Sequence, residues 1–400
     1  MNRPTLARCL IPFALALAAG CNSILSQFSP APMEPEAIPP TSYSGWVGAF
    51  CLDNGAVAVT AVPSVGRILS IGLPDGANAL RNDLKMSGFS FPDQNEMTWL
   101  NVGGDWLWPV AQSQWPKLGR GNWPPPAVLT ERPWQGSAWI ERDGSKRCLL
   151  TRQYGEPLNV KVSRLITVPK KGSKFHIRQT IERTAASTHP VSISNVSQVG
   201  GARRLFIPVD AESAFKQGYR VLSGQPPGDM QMVICGEAHD RGTNAAPITA
   251  SSPSPTGGEG RLPAEALAKA EGDGSNAPPY PAVLVLSCDG PGDRKLGSDS
   301  RRAWVAVQKG NMLLIERVVR QPAGAFPDGG CAAEVYARAD AGYADIQLVS
   351  PEKDLKPGER LENEIEVECR VLALDPDPCK AAQALRQILG EGAVAEQGRP

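Results

Sequence analysis

Residues 362–371 read ENEIEVECRV, and from Glu364 onward charged and apolar side chains alternate without a break. Ile365, Val367, Cys369 and Val371 fall at one parity, and Glu364, Glu366, Glu368 and Arg370 at the other. A helix would scatter those residues around its surface. A strand points successive side chains to opposite faces and so sorts them onto a dry face and a wet one. One dry and one wet face mark antiparallel sheet, and a slip of one residue would put the whole apolar set in water. Similar strand candidates recur along the chain. AVAVTAV follows the Asp53-Asn54-Gly55 turn, and GRILSIGL follows shortly after. Asp143-Gly144 sits at a hairpin tip in SAWIERDGSKRCLLTRQY, and PKKGS separates LNVKVSRLITV from FHIRQTIER. PVSISNVSQV adds a strand, and RAWVAVQKGNMLLIERV folds back at Lys309-Gly310-Asn311. With 40 glycines and 37 prolines to serve the turns, the expectation is an all-β sandwich over residues 46–375.

The ends and one internal stretch depart from this pattern. MNRPTLAR carries two arginines and leads into the short apolar run CLIPFALALAAG, which is the layout of an export signal over residues 1–20. Leu17-Ala18-Ala19-Gly20-Cys21 resembles a bacterial lipobox, with its Leu one place earlier than usual. Acylation of Cys21 would anchor the protein to a membrane, and Asn22 after it suits the outer membrane of the cell envelope. Residues 21–45 are Pro/Ser-rich and read as a tether. Residues 240–281, poor in large apolar side chains, read as a disordered insert. CKAAQALRQILG, within residues 376–400, reads as a short helix followed by a tail.

Lys plus Arg balance Asp plus Glu at 41 each, so no global charge draws the chain to nucleic acid. Outside the leader the cysteines are Cys51, Cys148, Cys235, Cys288, Cys331, Cys369 and Cys379, without a C-x-x-C, and the three histidines do not cluster. A Cys/His zinc site is therefore not expected. Export would permit disulfides, but their pairing stays open. Asp289, Asp293 and Asp299 are read as turn formers rather than calcium ligands. No phosphate loop, dinucleotide fingerprint or G-x-S-x-G elbow is present, and no cofactor or metal is expected.

The strongest mark is WLNVGGDWLWPVAQSQWPKLGRGNWPPP, residues 99–126, which holds five of the nine tryptophans. Together with GRILS before it and YADIQLVSP and LKPGE after it, this stretch resembles an uncharacterised bacterial family of the galactose mutarotase-like superfamily. The resemblance spans about residues 50–372. The chain departs from that family's pattern at Ser64-Val65-Gly66 in place of Gly-Gly, at Trp106 in place of Lys, and at Asp345-Ile346-Gln347 in place of two glutamates around an apolar residue. The resemblance implies a large antiparallel β-supersandwich.

It also implies a sugar site. Mutarotases use a carboxylate to take the anomeric proton and a His to protonate the ring oxygen, one on each side of the sugar. The stretch Pro190–Gln198 matches the strand that bears that His, and Val196 stands in its place. On the other side Asp345 is the best candidate for the carboxylate. The expectation is therefore a carbohydrate-binding cleft lacking the acid/base pair, lined by Arg67, Asp105, Gln112, Asn195 and Gln198 with Trp106, Trp108 and Trp115 beside them. Tryptophan faces stack on sugar C–H surfaces while amides and charged groups satisfy hydroxyls. Trp99 is expected in the core. Asn195 and Gln198 differ in parity, so both reach one cleft only across a bulge. The alternatives are a mutarotase- or epimerase-like enzyme and a structural envelope module.

Overall fold

The computed structural model describes residues 35–391 apart from 75, 90, 92–98, 120, 122, 130–131, 225–231, 237–247, 250–280 and 290–291. The expected leader, Cys21, most of the tether and nearly all of the 240–281 insert lie outside the described residues. The described residues from 37 onward form one compact unit. Thr41–Tyr43, which the sequence placed in the tether, is a strand paired with Trp46–Asp53.

Two large sheets make up the fold. In the sheet that bears the tryptophan motif the strands lie in the order Arg220–Gly224, Asp293–Ser298, Ala333–Arg338, Tyr343–Val349, Ser194–Gly200, Gly104–Trp108, Arg67–Gly72, Ala58–Val62, Trp46–Asp53, Thr41–Tyr43. The larger sheet runs, across its centre, through Lys146–Tyr154, Val160–Val168, Lys174–Arg183, Arg360–Val371, Met312–Arg320, Trp304–Lys309 and Arg204–Val209. Every pairing among these strands is antiparallel. The alternating strand pairs with Lys174–Arg183 so that Ile365 faces Ile177 and Glu366 faces His176. Ile365, Val367 and Cys369 are buried as their parity requires, while Val371 is 58% exposed because the strand ends there.

One part of the larger sheet is dry on both faces. Ala282–Ser287 and Trp304–Lys309 carry buried residues at almost every position. Such continuous burial needs a second cover, and the helix Pro378–Ile388 supplies it. Cys379, Ala381, Ala382 and Leu385 of that helix pack with Phe206, Val283, Val285 and Leu313. Asp377 caps the helix, accepting from the backbone N–H groups of Cys379 (2.8 Å) and Lys380 (2.9 Å). A disulfide joins Cys379 to Cys235, 144 residues away, on the strand Met232–Gly236. Closing so long a loop restricts the unfolded chain, so Cys379→Ser is expected to lower stability by about 2–4 kcal/mol. Urea denaturation with and without reductant checks this, because the reductant should reproduce the loss in the wild type and add nothing in the variant.

Candidate functional site

The motif strand Gly104–Trp108 begins at two glycines with φ of +87° and +84°. A Cβ on Gly103 would lie 2.1 Å from the Arg81 carbonyl oxygen, and one on Gly104 would lie 2.5 Å from that of Ile68. Only glycine allows this approach, and it fixes the parity of everything that follows. Trp106 is opposite Val196 and Trp108 opposite Ser194. Across the next strand Val196 is opposite Gln347, and Gln198 opposite Asp345. Glu334 then faces Gln347, Tyr336 faces Asp345, and Lys295 faces Tyr336.

Apart from Ser194, these side chains line a cavity of about 430 Å³, together with Trp99, Asn101, Gln112 and Trp123 from the motif segment. Gln198 donates to Asp345 Oδ1 at 2.8 Å and accepts from Arg81 at 2.8 Å. Lys295 Nζ donates to Gln112 at 2.8 Å and forms an ion pair with Glu334. Burial pushes the Asp345 carboxyl up to about 6, opposed by the Gln198 hydrogen bond. Burial likewise pushes Glu334 up to about 7, opposed by Lys295. Burial alone would lower Lys295, but the nearby Glu334 and Asp328 carboxylates together more than offset this, and the ammonium is held above its ordinary value. The cavity thus offers aromatic walls, the amides of Asn101, Gln112, Gln198 and Gln347, and carboxyls that titrate near neutrality, a combination typical of functional clefts.

The opposite parity faces the other sheet. Asp105, Asn195 and Ser197 meet Arg164, Gln179 and Glu316, all six buried. Arg164 forms an ion pair with Asp105 and donates to Asn195 Oδ1 at 3.0 Å. Gln179 also donates to Asn195 Oδ1 at 3.0 Å, and Asn195 Nδ2 donates to Asp105 at 2.9 Å and to Glu316 at 3.2 Å. Burial and then the Asp105 charge push Glu316 up to about 8. The folded state therefore holds a proton on Glu316 that the unfolded chain releases near its ordinary value. Stability from this group is full at acid pH and falls as pH rises toward about 8. Glu316→Gln removes the titration, so its stability profile should be flatter than the wild type's between pH 5 and 8 by denaturant titration (window set by about 4.5 and about 8).

The expected lining is corrected at four places. Asp105 and Asn195 point into the inter-sheet network because their parity is opposite to that of Trp106 and Gln198, and no bulge intervenes in their pairing. Arg67 is buried behind the wall, its guanidinium 4.1 Å from the Trp106 ring centroid and 5.0 Å from that of Trp99, with Nη1 donating to the Gly103 carbonyl at 2.6 Å. Trp115 is fully buried, edge-on to Trp108 at 4.9 Å. Trp99, expected in the core, is half-buried and lines the cavity. Trp106, Trp108, Gln112, Gln198 and Asp345 do converge on it. Glu334, Lys295 and Tyr336 escaped notice in the sequence, where Gln347 figured only as a departure from the family's pattern, although Glu334, Tyr336 and Arg338 mark one parity of a strand whose other parity is Val335 and Ala337. Asp289, Asp293 and Asp299 are separately engaged, by Ser287, Tyr336 and Ser213 respectively.

No protein-family model and no curated protein matches the chain in sequence. Among solved structures, a TPR-domain containing protein from Parabacteroides distasonis aligns at a TM-score of 0.50 and 10% identity, over 88% of this chain and 50% of that one. The chain thus spans about half the length of that protein. A Klebsiella pneumoniae protein provisionally named an aldose 1-epimerase aligns at 0.47 and 10% identity, covering 88% of this chain and 86% of its own. A galactose mutarotase-like protein from Lactobacillus casei aligns at 0.41 and 9% identity, covering 81% and 100%. At such identities the likeness is one of fold alone. Two large antiparallel sheets with, among the described residues, one short α-helix make the chain an all-β sandwich.

Proposed function

We propose that the protein binds a carbohydrate in the tryptophan-walled cleft and does so without a mutarotase acid/base pair. The observation that carries this is the convergence of Trp99, Trp106 and Trp108 with Gln198, Asp345 and Gln347 on one cavity. Stacked rings satisfy the apolar faces of a pyranose, and the amides and carboxylate satisfy its hydroxyls. Val196 lines that cavity between Trp106 and Gln347 and can transfer no proton. His176 is placed elsewhere, beside Glu364 and Glu366. Export as a lipoprotein anchored at Cys21 belongs to the same proposal, and the Cys235–Cys379 disulfide supports it, since such bonds persist in oxidising compartments. Titration of the intrinsic tryptophan fluorescence with a panel of saccharides tests the binding. A saturable change with at least one sugar is expected, and silence across the panel contradicts it.

A second reading, a sugar mutarotase or epimerase, is favoured by one observation. Asp345 and Glu334 share the cleft face on adjacent strands, and both carboxyls titrate near neutrality. Polarimetry of freshly dissolved α-glucose and α-galactose separates the two. Acceleration that vanishes in Asp345→Ala supports the enzyme, and an unchanged spontaneous rate supports binding alone.

A further inference from the structure

The tryptophans of the cleft form a graded series from core to solvent. Trp106 and Trp108 are buried with ring centroids 5.3 Å apart, Trp99 is half-buried 5.8 Å from Trp106, and Trp123 follows 6.0 Å from Trp99. Trp123 is 59% exposed and still lines the same cavity. Its ring is not an isolated surface side chain but the outer end of a continuous apolar wall, the kind of patch that marks a ligand-binding groove.

Its surroundings also hold it in place. Trp123 is followed by Pro124, Pro125 and Pro126, whose fixed φ angles stiffen the backbone behind it. The Pro126 carbonyl accepts from Leu129 N at 2.8 Å, tying the segment to the next turn. The ring packs edge-on to Trp99, with planes at 71°. A flat apolar surface fixed before any ligand arrives loses little freedom on binding.

The polar groups are distributed differently. Gln198, Gln347 and Glu334 are all buried, on the sheet that floors the cavity. The cavity, at about 430 Å³, falls within the size range that encloses drug-sized ligands and exceeds what one pyranose ring fills.

We propose that the cleft takes a saccharide chain of at least two residues, with an inner residue held by Trp106, Trp108, Gln198 and Asp345 and the next residue laid on the exposed face of Trp123. This rests on the carbohydrate reading above. The inner position, rich in directed hydrogen-bonding groups, selects the sugar. The outer position, held by stacking, tolerates different sugars and adds affinity.

Calorimetric titration with three homologous series tests the proposal: glucose, maltose and maltotriose; galactose and β-1,4-galactobiose; N-acetylglucosamine, chitobiose and chitotriose. In a series that binds, the second residue should raise affinity about threefold to tenfold. Trp123→Ala should abolish that increment while leaving the monosaccharide affinity within about twofold of the wild type's and the melting temperature unchanged. Equal affinity for one and two residues in every series that binds, or an increment that survives in Trp123→Ala, overturns the proposal and leaves the carbohydrate reading standing. If no member of any series binds, the carbohydrate reading fails and the proposal falls with it.

Discussion

Arg164→Ala is expected to cost about 3–5 kcal/mol of folding stability, the range for removing one partner of a buried ion pair. Arg164 and Asp105 are both buried between the sheets. The cation is the only positive charge bonded to that carboxylate among the described hydrogen bonds, and Glu316 is bonded to the same Asn195 and Ser197. Without it, Asp105 would be a charge in a low-dielectric interior, and it would have to take up a proton or draw in water. Asp105→Asn in the Arg164→Ala background should recover part of the loss, because it removes the stranded charge. Urea denaturation of the single and double variants measures this coupling directly. A loss below about 1 kcal/mol in Arg164→Ala, the level of an exposed pair, would show that the network does not hold the sheets together.

Asp345→Asn should weaken saccharide binding by about tenfold to a hundredfold, the scale of a hydrogen bond to a charged group. The carboxylate already accepts from Gln198 and keeps further lone pairs for a sugar hydroxyl. Its folded-state value of about 6 adds a second signature. Above that pH the group is a carboxylate and accepts from the ligand. As pH falls through about 6 it gains a proton and loses an acceptor, so wild-type affinity should decline there. The Asn variant should lack this decline and retain only the change near 7 that Glu334 contributes. Calorimetric titration between pH 5 and 8 (bracketing about 6 and about 7) checks both points. A variant that keeps the affinity and the full pH profile would remove Asp345 from the site.

The fold was legible because period-two patterning survives in the sequence wherever a strand has one wet face, as at Ile365 and Val367. The pairing order was not, since the sheet sets Ser194–Gly200 between Gly104–Trp108 and Tyr343–Val349, strands that lie far from it in sequence on either side. The same limit shaped the site. Parity separates Trp106 from Asp105 and Gln198 from Asn195, but the strand alone does not say which parity meets the other sheet and which meets the cleft. Polar residues occupy both faces here, so hydrophobicity could not decide it. Trp99 and Trp115 exchanged their expected places because both lie off the regular strands, Trp115 in the 3-10 turn Gln112–Lys117, where alternation carries no information. Glu334 and Lys295 sit in ordinary-looking strands and become notable only when the register brings them opposite Gln347 and Tyr336.

The most direct test of the central claim is a difference map from crystals soaked in the saccharide that binds most tightly. The account predicts a sugar ring against Trp106 and Trp108, with hydroxyls within hydrogen-bond distance of Gln198 and Asp345. A saccharide bound elsewhere, with the cleft unchanged, would contradict it.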